Sequence, residues 1–157
     1  MCLALLGSFV GHIRPNPARQ QHAYQQNAPP ETVSLSITAI PKVVKSGECV
    51  IIAVTIENRT RQLFWGRFDP GAPAPDVWLT AADEHGRPAP STAFARAKLW
   101  GGSFRIEKIE PGSSFHGRLY LTRRWDITLP GEYTVEATAR WAPSHPVSNK
   151  VTITVVP

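Results

Sequence analysis

From residue 31 onward, apolar and polar residues trade places at every second position in a series of short runs. That period of two is the mark of half-buried strands. Val33, Leu35, Ile37 and Ala39 alternate with Ser34, Ser36, Thr38 and Ile40, which predicts a first strand stopped by Pro41. Lys45-Ser46-Gly47-Glu48 predicts a turn. The strongest run follows, with Val50, Ile52, Val54 and Ile56 on one face and Ile51, Ala53, Thr55 and Glu57 on the other. Asn58-Arg59-Thr60 closes it. Gln62 to Phe68 predicts a third strand with Leu63 or Trp65 pointing inward. Asp69-Pro70-Gly71-Ala72-Pro73-Ala74-Pro75 cannot be a central strand, because its prolines remove ladder donors. Extended structure resumes at Val77-Trp78-Leu79-Thr80-Ala81 and stops at Asp83-Glu84-His85-Gly86-Arg87-Pro88. Residues 92–108 predict one or two strands broken at Gly101-Gly102. Ile106 and Ile109 precede a Pro111-Gly112 turn, and Phe115, Leu119 and Leu121 follow it. Tyr133 to Trp141 and Val147 to Val156 make the last pair of strands.

Turn signals recur every eight to fifteen residues or so, and no run has the length and period of an amphipathic helix. The fold class expected is all-β: an immunoglobulin-like antiparallel β-sandwich of roughly seven to nine strands, with a closed barrel as the alternative. Leu129-Pro130-Gly131-Glu132-Tyr133 marks a place within it. A tyrosine just after a turn, opening the penultimate strand of such a sandwich, folds back and donates to the backbone a few residues upstream.

The 157 residues suffice for one domain and a short extension. Residues 1–30 are expected to form an export segment and a Pro/Gln-rich linker, with the sandwich domain spanning residues 31–157. Cys2-Leu3-Ala4-Leu5-Leu6-Gly7-Ser8-Phe9-Val10 has the length of a signal-peptide core without the usual basic start. It is too short to cross a bilayer as a helix, so no transmembrane helix is expected. An extracytoplasmic location (periplasm, cell surface or secreted) follows from reading it as an export signal. Cys49 is then a single cysteine, expected to be a small buried hydrophobe in its strand.

The formal net charge is +5. Arg14 and Arg19 supply two of those units, and from Glu31 onward 15 basic residues face 12 acidic ones, a balance of +3 spread along the chain. Arg123-Arg124 is the one adjacent basic pair. A nucleic-acid surface concentrates its lysines and arginines, so nucleic-acid binding is not expected.

The order of motifs in the second half is familiar. Pro111-Gly112-Ser113-Ser114-Phe115 comes first, then Leu119-Tyr120-Leu121 and Arg124-Trp125-Asp126-Ile127. Pro130-Gly131-Glu132-Tyr133-Thr134-Val135 and Ser148-Asn149-Lys150-Val151-Thr152-Ile153-Thr154-Val155 complete it. This order, over roughly residues 33 to 156, resembles the β domain that precedes the catalytic domain of deuterolysin-like and peptidyl-Lys metalloendopeptidases. It is also similar to stand-alone Ig-like proteins exported by bacteria. Those peptidases carry zinc in a separate domain, on two histidines one helical turn apart with a glutamate beside the first. None of His12, His22, His85, His116 and His145 has that spacing, and none is followed by glutamate. The resemblance therefore implies the module without the enzyme.

Catalytic and metal chemistry find little support in the residues themselves. Asp69, Asp76, Asp83 and Glu84 sit in or near irregular loops, at spacings that match no calcium loop, and are expected to be solvated. No serine stands in a Gly-x-Ser-x-Gly setting. No catalytic residue, metal or cofactor is expected. Five tryptophans are more than one small core needs. Trp65-Gly66-Arg67-Phe68 and Lys98-Leu99-Trp100-Gly101-Gly102 place glycine beside tryptophan, which leaves an indole face open. Trp65, Arg67, Phe68 and Trp100 are thus the candidate ligand contacts. Tyr133, Asp126 and Arg124 are expected to fix a structural corner, with Asp126 accepting from a backbone amide or pairing with Arg124. The function expected is a non-enzymatic binding or accessory module with a protein or polysaccharide partner. The alternatives are a protease inhibitor acting through the Asp69–Pro75 loop and a structural piece of a surface assembly.

Overall fold

The computed structural model describes residues 32–68, 77–97, 105–140 and 145–157, excluding the side chains of Arg67, Phe68 and Arg105. Among them run nine strands: β1 (Val33–Ile40), β2 (Val43–Lys45), β3 (Ile51–Asn58), β4 (Phe64–Phe68), β5 (Val77–Asp83), β6 (Arg105–Ile109), β7 (Ser114–Tyr120), β8 (Gly131–Ala139) and β9 (Val151–Val156). Two single-turn helices, α1 (Ala93–Arg96) and α2 (Leu121–Arg124), interrupt them.

The strands form an immunoglobulin-like sandwich. One sheet has the order β1-β3-β7 and the other β2-β9-β8-β5. Strand alternation points one face of each sheet at the other. Val33, Leu35, Ile37 and Ala39 of β1 and Ile52, Val54 and Ile56 of β3 are buried, joined by Val50 just before β3. They share one core with Val135, Ala137 and Ala139 of β8, Ile153 and Val155 of β9, and Val77 and Leu79 of β5. The chain passes from the first sheet to the second at the cis Ile40–Pro41 bond, immediately before β2. β2 lies parallel to β9, with Val43 opposite Thr154; the other strand pairs among the described residues are antiparallel.

Several expectations change in detail. Cys49 is exposed and precedes β3 rather than packing within it. Its sulfur accepts from the Thr122 hydroxyl at 3.7 Å. Residues 93–96 are helical, because Thr92 caps them by accepting from the Ala95 amide at 3.1 Å. Leu121 opens a helix instead of extending β7, and its amide donates to the Val50 carbonyl at 3.0 Å. Leu63 and Trp65, one of which was expected to point inward, are both exposed, and Phe64 between them packs on the core. The candidate linker, the Asp69–Pro75 loop, Trp100 with its glycines, and Trp141 lie outside the described residues.

Asn149 does not satisfy its own turn. Its side chain reaches across to the other sheet and treats Ile37 as a strand partner. Oδ1 accepts from the Ile37 amide at 2.9 Å, and Nδ2 donates to the Ile37 carbonyl at 3.0 Å. At the open side of β5, the Trp125 indole Nε1 donates to the Leu79 carbonyl at 3.1 Å. A single side chain thus covers an edge position on each sheet.

Candidate functional site

Asn58 is the foundation of the first candidate surface. Its side chain is 1% exposed at the end of β3, where Nδ2 donates to the carbonyls of Gln62 (2.7 Å) and Ile109 (3.0 Å). Those carbonyls stand at the base of β4 and β6, so one buried amide holds both strands. Oδ1 accepts from the Thr60 amide and hydroxyl, at 3.0 and 2.8 Å. Ile109 is buried, and Phe64 packs against the core from the same end. The turn from β6 into β7 is closed by the Ser113 amide donating to the Glu110 carbonyl at 3.0 Å. Gly112 takes φ 74° there, a left-handed value that glycine adopts without steric cost.

Beyond that base, β4 and β6 form a two-stranded ribbon that pairs with no third strand among the described residues. Trp65 faces Lys108, and Arg67 faces Ile106. Residues directly opposite share a face, so Trp65 and Ile106 are diagonal neighbours on the outward side. Trp65 is 59% and Ile106 58% exposed, with Leu63 exposed at the entry to β4. Lys108 holds Glu110 at 2.7 Å. The hydrogen bond and charge of Lys108 lower the Glu110 carboxyl below its ordinary value. The result is an apolar patch beside an ion pair, mounted on a fixed base. Of the four candidate contacts, the structure places Trp65 on this surface and Arg67 and Phe68 in the same strand. Trp100 lies outside the described residues.

The second constellation gathers residues that the sequence keeps far apart. Inward placement of Val77, Leu79 and Ala81 leaves Trp78 on the outer face of β5. The Arg124 guanidinium, from α2, lies 3.2 Å from the centre of the Trp78 ring and 5.5 Å from that of Trp125. The Arg140 guanidinium, just past β8, is 4.5 Å from the Trp78 centre. Arg124 is only 6% exposed. Burial first, and the Arg140 charge second, pull it down to about 10.

Asp126 does not pair with Arg124. It takes the backbone-amide alternative, accepting from the Thr128 amide at 3.2 Å and the Thr128 hydroxyl at 2.7 Å. The Tyr133 hydroxyl donates to the Leu129 carbonyl at 3.1 Å, the bond that a tyrosine corner makes. Among the described residues, no three His, Cys, Asp or Glu side chains gather as metal ligands. Asp83 is occupied locally, accepting from the His85 and Arg87 amides at 3.0 and 2.9 Å and from the Arg87 Nε at 2.7 Å. Among the same residues, no helix is long and apolar enough to cross a membrane.

No family model matches this chain, and no curated protein matches it. Similar solved structures include the CARDB domain of a Pyrococcus furiosus protein, in complex with di-metal ions. It is 14% identical, with a TM-score of 0.44, over 80% of this chain and 93% of that one. A β-glucosidase of Listeria innocua in complex with glucose is 15% identical at a TM-score of 0.49, over 80% of this chain. The same enzyme in complex with isofagomine is 16% identical at 0.49. This chain spans 16% of the length of each of those glucosidase chains. These likenesses concern the fold and do not extend to the peptidase-domain resemblance; at such scores they add nothing to the strand order already described.

Proposed function

We propose that this chain is a non-enzymatic contact module, acting outside the cytoplasm, that holds a protein partner on the outward face of the β4–β6 ribbon. The location follows from the apolar segment Cys2 to Val10, read as an export signal. The observation that carries the contact reading is Trp65, more than half exposed although its strand is anchored through buried Asn58 and Ile109. A large indole held open on a fixed base loses little entropy when it is covered. Tryptophan with a charged rim is also the composition of interface hot spots. Ile106 and Leu63 beside it favour a protein over a sugar, because sugar rings stack on flat aromatic faces and gain little from branched aliphatic ones.

The test is capture from a native envelope fraction with the full chain as bait. A protein retained by the wild type and lost by both Trp65→Ala and Ile106→Glu supports the reading. Each change should weaken binding of the purified partner by about 2 kcal/mol, roughly thirtyfold in Kd, while leaving thermal stability within about 0.5 kcal/mol. Retention on polysaccharide that Trp65→Ala abolishes would replace the protein partner by a carbohydrate. Capture indifferent to both substitutions would remove the ribbon from the account.

A further inference from the structure

We propose that Arg124, Trp78 and Arg140 form a binding site for an oxyanion, a carboxylate or phosphate group. Two atoms of Arg124, Nε and Nη1, are buried and have no hydrogen-bond partner. Buried donors in native proteins are nearly always satisfied, and an orphaned pair calls for a missing acceptor such as a water or an ion. The Trp78 ring does not supply one. At 3.2 Å from the ring centre the guanidinium has to lie flat, since an edge-on approach would drive its nitrogens into the indole. A flat guanidinium offers its charge to the π face and directs its N–H bonds sideways, along its own plane.

The charge balance points the same way. Arg140 stands on the same indole, and among the described residues no carboxylate lies within ion-pair distance of either arginine. Two like charges around one ring raise the local potential and make the charged form of buried Arg124 costly, in keeping with its lowered pKa. A water would satisfy the N–H donors and leave the charges unbalanced. An oxyanion does both, and the planar guanidinium fork matches its geometry. Arg140 is exposed and open to a ligand from solvent, while Arg124 is buried and held on the indole.

The test is thermal unfolding of the full chain in two titrations, one with inorganic phosphate and one with acetate, at ionic strength fixed by chloride. A saturable rise in melting temperature is expected with at least one of them. Phosphate alone assigns a phosphate ester as the ligand, acetate alone a carboxylate, and both a general oxyanion site. Arg140→Met, at an exposed position, should weaken the response at least about tenfold, and Arg124→Met should do the same. Arg87→Met, which removes a paired surface arginine elsewhere, should leave it unchanged. No saturable rise with either ion would overturn the proposal in favour of a bound water, and a response that survives Arg140→Met would also overturn it. None of these changes touches the Trp65 face, so failure here leaves the contact ribbon standing.

Discussion

At the scale of single residues, the polar side chains that matter most are buried and bonded to backbone. Tyr133 is 6% exposed, with its hydroxyl on the Leu129 carbonyl. Tyr133→Phe leaves that carbonyl without its donor and should cost about 1–2 kcal/mol in denaturant unfolding. Its pH dependence has a definite sign. Burial first, then the charges of Asp126 and Asp83, raise the phenol above its ordinary value of 10.0. The folded state therefore keeps the proton longer than the unfolded chain does, and this contribution is complete below pH 10.0 and lost as pH rises through the raised value. Wild type should lose stability in that alkaline window, and the phenylalanine variant should lose less. Equal alkaline slopes for the two proteins would contradict the assignment.

At the scale of elements, edges explain more than pairings do. β1 presents Ile37 at its open side, and Asn149 answers both of its backbone groups. Asn149→Ala should cost about 1–2 kcal/mol by orphaning them. It should also raise self-association in sedimentation velocity, because an uncovered strand edge is a template for a second chain. β1, β3, β8 and β9 were legible in the sequence, since an apolar residue returns at nearly every second position and one face of each is inside. The single-turn helices were not. Leu121 to Arg124 is too short to show a period, and its first amide is held by the Val50 carbonyl, distant in sequence and just ahead of β3. The ribbon was legible in part, because Gly66 beside Trp65 signalled an open indole; that Phe64 would take the inward place required knowing where Asn58 pins the base. The arginine–tryptophan cluster left one trace. Strict alternation in β5 puts Trp78 outward, but nothing local tells it that Arg124 of α2 and Arg140, just past β8, will meet it.

At the scale of the whole molecule, both sheets depend on one interior. Ile52 lies near the start of β3, fully buried between β1 and β7 and facing the second sheet. Ile52→Ala should destabilise by about 3 kcal/mol, the lost transfer energy plus the cavity it leaves. The two sheets should still be lost in one transition, seen as coincident near- and far-ultraviolet circular dichroism curves. Separate transitions would mean two independent cores.

The parallel pairing of β2 with β9 has a mechanical consequence. If the described chain were tethered at Thr32 and at Pro157 and stretched, the pull would reach β2 once β1 was drawn off β3, and would then run along β2 and β9 in opposite directions. The rungs joining Val43–Lys45 to Thr154–Val156 would then bear the load together instead of opening one by one. Such an arrangement resists traction better than a hairpin peeled rung by rung from its end.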